Sequence, residues 1–350
     1  MQHFTAETLA AAVSAAPTGV DGRDPRLSGR PLVFAGTPAV AATALRRLHA
    51  AGAEFAAVLT RPDAPVGRRR RLTPSHVAQA AEELGLPVLR AERVDRQVTG
   101  QLARTGAELG VVVAYGALLD QQALEALPKG WVNLHFSALP AHRGAAPVQH
   151  TILAGDSVTA ATVFQLDAGM DTGPIHGVCE HRLDPSTSAG QLLEELTDSG
   201  TDLLRVLLPD LLDGSSSPQP QQGTPSYAGK LGRADAYVDP AGDASEVVRR
   251  ANATIPEPGA WTLHDGRRIK LGPLRRFDGS IPSAAPGAVM RVGADGDGQT
   301  PSTVMMTGSG DAVVLSAVQP EGRRMMEAEA WLRGQQTTVV LGTGHGSTDE

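Results

Sequence analysis

Cysteine occurs once, as Cys179. A single thiol excludes an intramolecular disulfide and any cysteine-built metal cluster. It lies in an apolar-polar alternation over residues 175–182, which predicts a buried structural role. No apolar run approaches the roughly 20 residues a membrane helix needs, so no membrane partner is expected. Lysine is almost missing: Lys129, Lys230 and Lys270 leave 28 of the 31 basic residues as arginine, a compositional bias rather than a functional signal. Positive charge is also short overall, and a net charge of −7 excludes a global basic field for nucleic acid while leaving room for local patches. The N-terminus has no basic residue ahead of an intact apolar core, so it does not read as a secretory signal. A Gly-x-Ser-x-Gly elbow is absent, and Gly36-Thr37-Pro38 falls short of a dinucleotide fingerprint. What remains is 350 residues, 41% hydrophobic and 20% charged, the profile of a globular chain long enough for two domains.

Residues 1–30 read as an extension. A short Ala-rich helix over 5–16 carries Glu7 in its first turn, where negative charge suits the helix dipole. The rest is Gly-, Asp-, Arg- and Pro-rich and is expected to be irregular; a misassigned start and a functional arm are equal readings of it. From residue 31 apolar strand-length runs alternate with helical patterns. The run over 109–115 is nearly continuous, as in central parallel strands covered on both faces. This predicts an α/β domain over 31–212 with a doubly wound, mostly parallel sheet. Residues 213–223, rich in Ser, Pro, Gln and Gly, have linker composition. Short strands separated by Gly, Pro and Asp over 224–341 predict a small open, OB-like β-barrel, and 342–350 a flexible tail.

The chemistry concentrates in residues 131–147. In a strand, Asn133 and His135 project from one face and Leu134 from the other. The carboxyl end of such a strand is where open α/β sheets bind ligands. Asp171, in Asp-Thr-Gly-Pro, supplies a carboxylate. An amide, an imidazole and a carboxylate suit acyl transfer to an amine without a covalent enzyme intermediate: Asn133 and His135 stabilise an oxyanion, and Asp171 orients or charges His135 or takes the ammonium proton. A metal set of His135, His142 and Asp171 competes, but its spacing lacks the tight pairing of a metal motif, and no metal is expected. Arg68, Arg69, Arg70 and Arg71 are consecutive and must form an exposed loop, either a solvated charge run or an arm for phosphates.

Together these stretches resemble the methionyl-tRNA formyltransferase family. The resemblance is carried by Val-Phe-Ala-Gly-Thr-Pro (33–38), Arg-Pro-Asp-Ala-Pro-Val-Gly-Arg with Leu-Thr-Pro-Ser (61–75), Val-Val-Ala-Tyr-Gly-Ala-Leu-Leu (112–119), Asn-Leu-His-Phe-Ser-Ala-Leu-Pro (133–140), Arg-Gly-Ala-Ala-Pro (143–147) and Asp-Thr-Gly-Pro (171–174). Ser-Tyr-Ala-Gly-Lys-Leu (226–231), Pro-Glu-Pro-Gly-Ala-Trp (256–261) and Gln-Pro-Glu-Gly-Arg-Arg (319–324) continue it into the second half. It implies a formyltransferase fold, 10-formyltetrahydrofolate as co-substrate, and Asn133, His135 and Asp171 as the catalytic trio. It further implies that Ser137, Ala138, Leu139 and Pro140 hold the folate, that the arginine loop grips charged initiator tRNA, and that the enzyme is a cytoplasmic monomer. The chain departs from the pattern at Ala138 (usually Leu), His142 (usually Trp) and Gly229 (usually Pro). From Lys230 onward it has 13 Lys/Arg against 15 Asp/Glu, with no basic surplus. A paralogue formylating a small amine, such as an amino sugar, is therefore the alternative.

Overall fold

The computed structural model describes residues 1–19, 23–67, 70–294 and 301–342. The expected tail at 342–350 falls, beyond its first residue, outside the described residues. Two compact units are present. The first comprises residues 1–147, 158–182 and 193–228, and the second 148–157, 183–192 and 229–350.

The first unit is built on an eight-stranded sheet. Up to residue 228 the elements are, in chain order, β1 (Gln2–Phe4), α1 (Ala6–Ala15), β2 (Leu32–Gly36), α2 (Ala39–Ala50), β3 (Phe55–Thr60), the hairpin β4 (Ala64–Val66) and β5 (Arg71–Thr73), α3 (His76–Glu83), β6 (Val88–Arg90), α4 (Arg96–Ala103), β7 (Leu109–Val113), α5 (Gln121–Leu124), β8 (Trp131–His135), β9 (Arg143–Gly144), α6 (Pro147–Ala154), β10 (Val158–Gln165), β11 (Ile175–Arg182), α7 (Ala189–Asp213) and β12 (Tyr227–Ala228). The sheet runs β1-β11-β10-β8-β7-β2-β3-β6. Strands β6, β3, β2, β7 and β8 pair in parallel, and β10 alone runs against its neighbours β8 and β11. The doubly wound, mostly parallel sheet expected from the alternation is present.

Local chemistry accounts for these elements. The central strands β2 and β7 are buried along their whole length, which is why they read as unbroken apolar runs. Ser75, Asp95 and Asp120 cap α3, α4 and α5 by accepting an N–H of the first turn. Gly110 faces Trp131 across the β7–β8 ladder. A Cβ there would sit 2.0 Å from the indole, so glycine is what leaves room for the large ring.

In the extension, besides α1, Gln2–Phe4 forms β1, the edge strand parallel to β11, and Pro25–Leu27 is a 3-10 turn capped by Asp24. The second unit has two antiparallel sheets, and no closed barrel forms among the described residues. After α8 (Ala244–Ala253), the strands β13 (Trp261–His264), β14 (Arg267–Leu271), β15 (Leu274–Arg276), β16 (Ala288–Ala294), β17 (Pro301–Met306), β18 (Ala312–Leu315), β19 (Ala317–Pro320) and β20 (Met326–Glu327), helix α9 (Ala328–Arg333) and β21 (Val339–Val340) complete the chain. The sheets run β13-β14-β19-β20 and β15-β18-β17-β16-β21. Gly272-Pro273 divides β14 from β15 and Ser316 divides β18 from β19. Proline has no N–H for a ladder, and Ser316 Oγ donates instead to Pro273 O at 2.9 Å, so the chain changes sheet at both breaks. Val238, Val247, Ile269, Leu271, Leu315 and Trp331 fill the core of this unit.

Candidate active site

Strand β8 carries Asn133 and His135 on one face, opposite Phe164 and Thr162 of β10. His135 is 5% exposed, and its ring meets Phe164 edge-on with centroids 6.3 Å apart. Nε2 lies 3.1 Å from His142 O. A carbonyl can only accept, so Nε2 carries the proton of the neutral ring and Nδ1 keeps its lone pair. Asp171 Oδ2 stands 3.8 Å from that Nδ1, too far for a hydrogen bond and close enough to stabilise a positive ring. Burial pushes the imidazole below its ordinary pKa, and Asp171 opposes that shift. The neutral base therefore prevails near neutrality, beside a carboxylate that favours the protonated form once it appears.

Asp171 is held from several sides. Its backbone is left-handed, φ 54°, a conformation that costs a non-glycine residue about 1–2 kcal/mol. Gly144 N–H donates to its Oδ2 at 2.7 Å. Gly144 itself has φ 122° and lies under Ala228 O, 2.7 Å from where a Cβ would be, because β9 and β12 pair side by side. Thus the Arg-Gly-Ala-Ala-Pro stretch delivers a backbone amide to the carboxylate. Asn133 is half-buried in β8, two residues before His135.

In the predicted folate loop only Ala138 is exposed; Ser137, Leu139 and Pro140 are buried. Ser137 Oγ donates to Ala141 O at 2.6 Å, and Ser137 O accepts from Thr162 Oγ1 at 2.7 Å. Leu139 packs with Phe164 and Ile175. The loop is thus fixed from beneath and exposes Ala138. In the arginine stretch, Arg68 and Arg69 lie outside the described residues. Arg70 takes φ 47° in the turn after Gly67, and Arg71 opens β5. The β4–β5 hairpin also exposes Val66 and Leu72, by 57% and 66%. For the competing metal set, no group of three or more His, Cys, Asp and Glu side chains able to hold a metal occurs among the described residues. Cys179 is buried, and burial raises its thiol pKa. No helix among the described residues is long and apolar enough to cross a membrane.

The formyl transferase family model matches residues 30–207, and the model of the formyl transferase C-terminal domain matches 230–336. Methionyl-tRNA formyltransferase of Paenarthrobacter aurescens is 48% identical over 306 residues, covering 87% of this chain and 97% of that one. The chain belongs to the methionyl-tRNA formyltransferase family. Among solved structures, the methionyl-tRNA formyltransferase from Clostridium thermocellum superposes with a TM-score of 0.51 at 15% identity, over 72% of this chain and 96% of that one. An N-formyltransferase from Helicobacter canadensis, in complex with folinic acid and dTDP-3-aminofucose, gives 0.60 at 16% identity over 83% and 98%. At such identities the structures share the fold. The family models begin at residue 30 and break between 207 and 230, so both the extension and the linker lie outside them.

The linker and the first residues after it are where sequence reasoning missed site residues. Gln219 pairs with Ile175 through two backbone hydrogen bonds. Ser226 Oγ accepts from His142 N–H at 2.9 Å. The Gln221 amide joins Arg143 to the Asp171 loop. Composition marked 213–223 as a spacer, and nothing in the local pattern of Gln219 or Gln221 signals partners 44 or more residues away.

Proposed function

We propose that this chain transfers the formyl group of 10-formyltetrahydrofolate to the α-amino group of methionyl-tRNA, with charged initiator tRNA as acceptor. The observation that carries the reading is the buried, neutral His135 with its Nδ1 beside Asp171, on the strand face it shares with Asn133. Relatives 44–48% identical over most of the chain bear the methionyl-tRNA formyltransferase name, and a structural neighbour is described with folinic acid bound.

The amine attacks the formyl carbon, a C–N bond forms, and the carbonyl oxygen becomes an oxyanion. His135 Nδ1 takes the proton that the attacking nitrogen releases. The imidazolium is stabilised by Asp171 and, with the Asn133 amide, stabilises the oxyanion. On collapse the bond to folate N10 breaks and the proton passes to that nitrogen, giving tetrahydrofolate. Ser137, Ala138, Leu139 and Pro140 form the ledge on which the folate lies, and Arg68, Arg69, Arg70 and Arg71 meet tRNA phosphates. On this reading the enzyme works in the cytoplasm as a monomer.

The test is formylation of charged initiator tRNA by the purified protein. His135→Ala is expected to lose on the order of 10²–10³ in kcat; a wild-type rate in that variant would exclude the assigned base. Formylation of an amino sugar with no product on charged tRNA would move the acceptor to the small-amine reading.

A further inference from the structure

We infer that Gln221, in the segment between the two matched domains, is a positioning residue for Asp171. Its side-chain N–H groups donate to Asp171 O at 2.8 Å and Gly173 O at 2.9 Å. Its Oε1 accepts from Arg143 Nε at 3.2 Å and Nη2 at 2.6 Å. The hydrogen-bonding capacity of this one amide is thereby filled. Both ends of the clamp bear on the same carboxylate. One end holds the backbone of Asp171 in its left-handed conformation. The other fixes Arg143, whose neighbour Gly144 donates N–H to Asp171 Oδ2. Gln219, two residues earlier, pairs with Ile175 just after the Asp171–Pro174 turn, so the clamp is anchored close to the loop it holds.

A glutamine held only for packing would not need both carbonyls and the guanidinium together. Without the two donors, the loop keeps its ladder at Ile175 but loses what opposes relaxation of Asp171 toward ordinary φ. The carboxylate then drifts from His135 Nδ1. A displacement of about 1 Å in such a site costs on the order of 10²-fold in rate.

The inference rests on the proposed roles of Asp171 and His135, and the test separates the two. Gln221→Met keeps the shape and removes every hydrogen bond. Gln221→Glu keeps an acceptor for Arg143 and removes both donors to the carbonyls. Both variants are expected to lose about 10- to 100-fold in kcat, with KM for 10-formyltetrahydrofolate and for charged tRNA within about threefold and the unfolding midpoint within a few degrees. Asp171→Asn should retain only a small residual rate, and Gln221→Met in that background should lower it no further, since the clamp acts only through the carboxylate. Wild-type kcat in Gln221→Glu would overturn the clamp. So would equal losses in kcat, both KM values and stability, the pattern of a purely structural residue. Full activity in Asp171→Asn would instead overturn the catalytic assignment itself.

Discussion

His135 and His176 are both buried at 5% exposure, and both are held neutral. His176 receives Ser216 Oγ–H at Nδ1, 2.7 Å, and donates from Nε2 to Gln165 Oε1 at 3.2 Å. Gln165 in turn donates to Trp131 O at 3.0 Å, so the ring ties β11 to β8 without facing the reaction. Burial, reinforced by the N-terminal ammonium, pushes its pKa down to about 4. Above pH ~6.5 neither folded nor unfolded chain protonates it. As pH falls below that value, the unfolded chain takes up a proton the folded one refuses, and stability drops until pH passes about 4. The loss from His176 amounts to about 3 kcal/mol at most. His176→Gln, which retains a donor and an acceptor, is expected to flatten that decline. Urea unfolding at pH 7 and pH 4.5 measures it, and an unchanged pH dependence in the variant would remove His176 as its source. The same direction at His135 has a different use under the proposed mechanism: a base whose pKa lies below the ordinary histidine value stays competent in mildly acidic solution.

At the scale of elements, the N-terminal strand and helix are the departure from the family pattern. Strand β11 is eight residues long, and β1 covers only part of its outer edge, at Gly177, Val178 and Cys179. The link is reinforced by Gln2 Nε2 on Asp210 at 3.0 Å, and helix α1 is closed by a Thr5–Thr8 capping box and buries Leu9. Deleting residues 1–16 is expected to lower stability by on the order of 2–4 kcal/mol, from one buried leucine, a short ladder and a cap. It should leave formyl transfer intact, since the family match begins only at residue 30. An open β11 edge is also a template for another strand, so the truncated chain should self-associate with rising concentration in sedimentation velocity. Unchanged stability would mean that the segment merely rests on the fold. The helix was legible from its alanines and Glu7. The strand was not, because Gln-His-Phe is too short to show a period and gains its partner only in three dimensions. The same distinction runs through the chain. The runs at 32–36 and 109–113 announce buried strands by composition, and Asn-x-His announces a polar strand end. Gln221 announces nothing and Ser226 does not announce its bond to His142, since these roles depend on partners 50 and 84 residues away. The short strands of the second unit were legible from the Gly, Pro and Asp between them; their division into two sheets was not, because Pro273 and Ser316 divert strands between sheets in a way that strand counting does not register.

For the molecule as a whole, acceptor recognition has to work against a net charge of −7. A tRNA is itself anionic, so the overall field repels it, and binding must come from local positive charge. The strongest such feature is the run Arg68 to Arg71 at the β4–β5 hairpin, where Val66 and Leu72 add exposed apolar surface. If these side chains meet phosphates, each arginine–phosphate pair releases counterions and steepens the salt dependence of binding. Replacing all four arginines with serine is expected to raise KM for charged tRNA at least tenfold. It should also make the plot of log KM against log salt shallower by about 0.7–0.9 for each phosphate no longer neutralised. The chemical step should survive: His135 and Asp171 belong to β8 and the loop before β11, so kcat at saturating tRNA should remain within a few-fold. An unchanged KM and salt slope would return the run to a solvated loop. With the repulsive field then uncompensated, a small uncharged amine would become the better acceptor, and its formylation rate in the same variant would decide between the two.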